Sequence, residues 1–168
     1  MKKNLEIKYK FRNLREIRDI TGLLKNYSFT IEKQADIYYN TVKGRLKLRI
    51  INDTEGSLIL YNRAEKKNKR ISKYTISKTK DFRELDSILR KQFGVLVTVF
   101  KKREIYIHKN TRVHIDTVKG LGKFMEIEII YGDISTAKNL MKDLISELNL
   151  DENKFIKVSY SDLLINRR

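Results

Sequence analysis

Asn4 to Phe11 alternates without a break. Leu5, Ile7, Tyr9 and Phe11 fall on one side, and Asn4, Glu6, Lys8 and Lys10 on the other. A period of two puts successive side chains on opposite faces of a strand. The pattern returns at Arg45–Ile50, where Arg45, Lys47 and Arg49 alternate with Leu46, Leu48 and Ile50. It returns again at Phe124–Tyr131, where Glu126 and Glu128 alternate with Met125, Ile127 and Ile129. Extended segments are also expected over 29–41, 57–63, 70–76, 95–103, 104–108 and 112–118. Turn signals at Lys43-Gly44, Asp53–Gly56, Asn110 and Gly120-Leu121-Gly122 separate them. Glu65 to Lys69 reads as a solvated loop.

Helical spacing appears three times. Leu14, Ile17 and Leu24 predict a helix ending near Asn26; Phe82, Leu85, Ile88 and Leu89 predict one closed by Gly94. Ala137, Leu140, Met141, Leu144, Ile145 and Leu148 keep one face over three turns. The tail from Lys154 is expected as a last strand or a short helix. There is no repeat and no Pro/Gly-rich linker, so residues 1–168 are expected to form a single domain.

About eight strands with short turns suggest a barrel or a sandwich. Amphipathic helices laid outside a barrel would cover the apolar faces and leave the polar faces inside. Those polar positions are almost wholly ionic, in blocks of one sign. Lys8, Lys10, Arg45, Lys47, Arg49, Arg63, Arg70, Lys101, Arg103 and Arg112 stand against Glu6, Asp116, Glu126 and Glu128. A buried charge must be paired, because desolvating it alone costs several kcal/mol. Cations outnumber carboxylates, so a wet interior of this kind would be neutralised by a polyanion. The clustered carboxylates suit Mg²⁺ or Mn²⁺, hard ions that share oxygen ligands with substrate phosphates.

Composition narrows the partners. The net charge of +16 attracts anions over long range. A nucleic-acid binder also needs exposed aromatics beside its basic patches, whereas most Tyr and Phe lie at apolar strand positions; nucleic acid is disfavoured against a small polyanion. The absence of Cys excludes disulfides and thiolate metal sites, and His108 and His114 are too few for a His-rich one. No stretch reaches the ~18 apolar residues of a membrane span. A soluble cytoplasmic protein with no membrane partner is expected, and a homodimer stays open.

At this point the motifs resemble a known family in chain order. Asn4-Leu5-Glu6-Ile7-Lys8 resembles the N-terminal Glu-x-Glu-x-Lys signature of the CYTH superfamily, the triphosphate tunnel metalloenzymes. Gly44-Arg45-Leu46-Lys47-Leu48-Arg49, then Leu58–Arg63, Arg70–Tyr74, Lys101–Arg103, Thr111–Asp116 and Gly120–Glu128 are similar to its later strands. The class IV adenylate cyclase-like branch looks nearest.

The resemblance implies an α+β fold, a closed eight-stranded antiparallel β-barrel with flanking helices. It implies a metal-dependent enzyme acting on ATP or a related triphosphate, with Mg²⁺ or Mn²⁺ as cofactor. By resemblance, Glu6, Asp116, Glu126 and Glu128 would hold metal. Lys8, Lys47, Arg49, Arg63, Arg70, Lys101, Arg103 and Arg112 would bind the phosphate chain. Glu6, Lys8, Arg49, Arg112 and Glu128 would carry catalysis. His114 shares a face with Arg112 and Asp116, and a structural or a functional role stays open. The alternatives are an inorganic tripolyphosphatase or nucleoside triphosphatase, and a catalytically weak polyphosphate- or nucleotide-binding module. The last is motivated by Asn4, which stands where the signature has its first Glu and brings no negative charge.

Overall fold

A computed structural model describes residues 3–63 and 72–167. The elements are β1 (Lys3–Lys10), α1 (Leu14–Leu23), β2 (Ser28–Tyr39), β3 (Arg45–Ile51), β4 (Glu55–Arg63) and β5 (Ser72–Thr79). Then come α2 (Phe82–Phe93), β6 (Val95–His108), β7 (Thr111–Val118), β8 (Gly122–Tyr131), α3 (Ile134–Glu147), a 3-10 turn (Glu152–Lys154) and α4 (Tyr160–Ile165). The strands form one eight-stranded antiparallel sheet in the order β1-β8-β7-β6-β2-β3-β4-β5. This is the eight-stranded antiparallel α+β architecture that the resemblance implies, and it agrees with the alternation. β1 and β5 are the two ends of that order. The solvated loop expected at Glu65–Lys69 lies outside the described residues. The segments expected at 95–103 and 104–108 are one strand of 14 residues. No helix of the described residues is long and apolar enough to cross a membrane.

The chain clusters into two compact units. The first comprises Met1–Ile31, Arg103–Thr117 and Gly122–Lys157. β1 pairs with β8 in a register that sets Glu6 opposite Glu128 and Lys8 opposite Glu126. Parity then puts Ile7, Tyr9, Met125, Ile127 and Ile129 on the other face, where they join Val113 and Ile115 in one apolar core. α3 covers that face with Ala137, Met141 and Leu144, while Leu148 is buried and Leu140 packs against the cluster. The helix starts where the Asp133 side chain accepts from the Thr136 amide, and α1 starts the same way from Asn13 to Glu16. An isolated bridge from Phe155 to Tyr9 ties the following segment to β1.

The second unit comprises Glu32–Lys102, Val118–Leu121 and Val158–Arg168. β2, β3, β4 and β5 pair in sequence as antiparallel neighbours. The β3–β4 turn passes through Asn52 and Asp53 with positive φ (51° and 58°), a conformation these two residue types tolerate. α2 packs Phe82 and Leu89 on Ile37, Tyr39 and Leu48. Gly56 makes that seating fit: a Cβ there would lie 2.4 Å from the Cβ of Phe82. α4 begins at a capping box of Ser159 and Asp162, and Arg45 pairs with Asp162 at 2.7 Å.

Candidate anion and metal site

Each unit buries ionic side chains on the sheet face opposite its apolar core. In the second unit the centre is Asp36, only 3% exposed. The Arg49 guanidinium donates to it bidentately, Nε to Oδ1 at 2.7 Å and Nη2 to Oδ2 at 2.8 Å. Lys47 Nζ donates to Oδ2 at 3.0 Å, and Lys101 Nζ lies 4.0 Å from the same oxygen. Burial alone would raise the Asp36 carboxyl, but Arg49, Lys47 and Lys101 hold it well below the ordinary carboxylate range. For Lys47, burial dominates and pushes its ammonium down despite Asp36 beside it. Tyr38 and Tyr61 place their rings 5.3 and 5.9 Å from Lys47 Nζ. Lys101 Nζ lies 5.4 Å from the Tyr160 ring. Lys47, Arg49 and Lys101 thus all lie within 4.0 Å of the Asp36 carboxylate on a buried face.

In the first unit the hub is a guanidinium. Arg103 donates to both oxygens of Asp116, at 2.7 and 2.6 Å, and to Glu126 Oε2 at 2.6 Å. Lys8 Nζ lies 3.1 Å from Glu126 Oε1. Glu128 is half-buried and Glu6 is its register partner, so both point to this face. His114, 4% exposed, brings Nδ1 to 3.9 Å from Glu126 Oε2 and 3.9 Å from Glu128 Oε1. The ligand atoms of His114, Glu126 and Glu128 lie within 4.8 Å of one another. Lys8 and Arg103 are here outnumbered by Glu6, Asp116, Glu126 and Glu128. Such a set can take a cation. Three buried side-chain atoms have no hydrogen-bond partner among the described residues, and two of them, His114 Nδ1 and the Asn4 side-chain oxygen Oδ1, lie in this unit. Orphaned buried acceptors in a carboxylate-rich cluster fit a divalent ion.

The remaining residues singled out from the sequence are placed as follows. Asp116 has its two oxygens engaged by Arg103, so it orients that guanidinium. Arg112 is exposed near the start of β7. Lys10 is exposed, with Nζ 6.0 Å from the Phe124 ring. Arg45 is engaged by Asp162, Ser159 and Ser161. Arg63 is described by its backbone alone, opposite Ser72, and Arg70 lies outside the described residues. Sequence reasoning missed Asp36. The available signal was parity: Asp36 and Tyr38 alternate with Ile37 and Tyr39 as Lys47 and Arg49 alternate with Leu48.

An eight-stranded antiparallel α+β protein that buries ionic clusters opposite its apolar cores is the class these features define. The family model of the CYTH domain matches residues 2–160, and the chain belongs to that family. A protein of Methanocaldococcus jannaschii named as a candidate adenylate cyclase is 30% identical over 155 residues, covering 83% of this chain and 87% of its own. A solved structure from Pyrococcus horikoshii OT3 is similar with a TM-score of 0.81 at 27% identity, covering 97% of this chain and 99% of that one. A Hippeastrum adenylyl cyclase candidate, described as having a dominant triphosphatase activity, matches with a TM-score of 0.76 at 12% identity. That match covers 99% of this chain and 96% of the Hippeastrum one, and is a likeness of fold.

Proposed function

We propose that this chain is a metal-dependent, adenylate cyclase-like enzyme that binds ATP or a related triphosphate. The observation that carries the reading is the cluster of Lys47, Arg49 and Lys101 around the buried Asp36. Asp36 occupies a fork of donors that suits phosphate equally well. A planar guanidinium binds carboxylate and phosphate in the same bidentate way, and Lys adds point charge. A triphosphate would gain contacts with Arg49, Lys47 and Lys101, with Lys8, Arg63, Arg70, Arg103 and Arg112 as further phosphate ligands. Glu6, Glu126 and Glu128 would hold Mg²⁺ or Mn²⁺, with Asp116 fixing Arg103 beside them. When bound, the ion would neutralise charge developing on the transferred phosphoryl group. The protein's share is positioning: buried cations hold the chain of phosphates, and low local dielectric strengthens each contact.

The name of the Methanocaldococcus relative supports cyclisation of ATP to cyclic AMP and pyrophosphate. Asn4 favours a second reading, a catalytically weak polyphosphate-binding module, because its neutral side chain stands where the signature has Glu. The test is product analysis with ATP and tripolyphosphate in Mg²⁺ and in Mn²⁺. Cyclic AMP with pyrophosphate is the expected result. Orthophosphate instead would make the chain a triphosphatase. Tight tripolyphosphate binding without turnover would favour the binding module, and turnover raised by Asn4→Glu would trace the weakness to the missing charge.

A further inference from the structure

We infer that His114 is a ligand to the cation held at Glu126 and Glu128, and that it makes the site prefer borderline transition-metal ions to Mg²⁺. The inference rests on the reading that these carboxylates hold metal, and adds what kind of metal they hold.

His114 sits in the middle of β7, where parity turns it away from Val113 and Ile115 and toward the ionic face. It is 4% exposed, and Nδ1 has no hydrogen-bond partner among the described residues. A buried imidazole nitrogen in a structural role is ordinarily satisfied by a nearby donor or acceptor. Here Nδ1 instead stands 3.9 Å from one oxygen of each glutamate, too far to hydrogen-bond either. That spacing suits a shared ion. With metal–ligand bonds of about 2.1 Å, two ligands of one ion lie about 3 to 4 Å apart, depending on their angle. Glu126 already accepts from Arg103 at Oε2 and pairs with Lys8 at Oε1. A carboxylate oxygen carries more than one acceptor lone pair, so it can take a metal contact beside an existing partner. Those two contacts also hold the Glu126 carboxylate in place, the support that metal ligands need.

The donor set decides the selectivity. Mg²⁺ takes oxygen ligands and keeps much of its water, so an imidazole adds little for it. Imidazole suits Fe²⁺, Co²⁺ and Zn²⁺ better than Mn²⁺, which like Mg²⁺ favours carboxylate and water, and affinity rises from Mn²⁺ through Fe²⁺ to Co²⁺. Two carboxylates and one neutral imidazole also balance a divalent charge. His114 would thus raise affinity for the later metals and leave Mg²⁺ bound through Glu126 and Glu128.

The experiment is calorimetric titration of the full metal-free chain with CoCl₂ and MgCl₂, with Co²⁺ visible absorption recorded alongside. It is run on wild type, His114→Ala, His114→Gln and Glu128→Gln, each checked for folding by circular dichroism. Loss of a metal-site group costs at least about tenfold in affinity. Both His114 variants should lose that much for Co²⁺, change its absorption band, and keep Mg²⁺ affinity within about threefold, a ratio that a structural role for His114 would not move. Co²⁺ affinity unchanged in both His114 variants, or Co²⁺ and Mg²⁺ affinities falling together, would overturn the inference. Glu128→Gln separates the two levels. It should weaken both ions, and if it leaves both unchanged, the metal reading of the site fails and the His114 inference with it.

Discussion

The two buried ionic clusters are built from the same residue types in opposite arrangements. Around Asp36, Lys47, Arg49 and Lys101 converge on one carboxylate. Around Glu126, Lys8 and Arg103 face a larger set of carboxylates. In each, strand parity puts charges on one face and apolar side chains on the other. What differs is the hub: a carboxylate among cations in one, a guanidinium among carboxylates in the other. On the proposed function, the first cluster would hold an anion and the second a metal ion.

The comparison can be broken by removing its hubs. Asp36→Asn removes the carboxylate that Lys47, Arg49 and Lys101 share. Removing one partner of a buried pair costs about 3–5 kcal/mol, so urea unfolding should show a loss of that size. Added tripolyphosphate should restore much of it by binding the native state. Asp116→Asn should cost less, about 1–3 kcal/mol, because Arg103 keeps Glu126 at 2.6 Å. Equal losses would mean that the two hubs are equivalent.

Titration sharpens the same contrast. Asp36 has a depressed native pKa, so its contribution to stability is present above the ordinary carboxylate value of 3.8. It is lost as pH falls below that value toward the native pKa. The acid limb of unfolding should therefore flatten in Asp36→Asn. The alkaline limb should not distinguish the units. Burial, then Glu16, pushes Tyr9 up to about 12, and burial, then Asp36, pushes Tyr38 up to about 12. A raised native pKa gives stability that is full below 10.0 and lost as pH rises through about 12. Thermal melts at stepped pH would check both limbs. The smallest effect is expected at Arg112. Arg112→Ala on an exposed position should change stability by no more than about 0.5 kcal/mol, while weakening tripolyphosphate binding if the side chain reaches the phosphates.

Much of this architecture was legible in periodicity. β1, β3 and β8 alternate cleanly, and α3 keeps a helical stripe, because each has one apolar face on a core. β6 reads as broken near Lys101-Lys102-Arg103-Glu104 yet runs through it as one strand. Its inward residues there, Lys101 and Arg103, are charged and buried through Asp36, Asp116 and Glu126, partners a hydrophobic period cannot reveal. Asp36 was hidden for a related reason. The run Ile37-Tyr38-Tyr39 looks continuously apolar, and the register that brings Asp36 opposite Arg49 is a pairing between separate strands. The tail from Lys154 resolves into a bridge at Phe155 and a helix from Tyr160. Short segments like these take their form from what they pack on.

The proposed division of labour has Lys47, Arg49 and Lys101 hold phosphate and Glu126 and Glu128 hold metal. Tripolyphosphate binding isotherms of wild type, Arg49→Ala and Glu128→Gln, each with and without Mn²⁺, test it directly. Arg49→Ala should lose about 1.5–3 kcal/mol of binding in both conditions, the size of a hydrogen bond to a charged group. Glu128→Gln should keep or strengthen metal-free binding and lose the enhancement by Mn²⁺. If Glu128→Gln abolishes metal-free binding as fully as Arg49→Ala, Glu128 only holds the cations in place, and the division of labour between the two clusters is wrong.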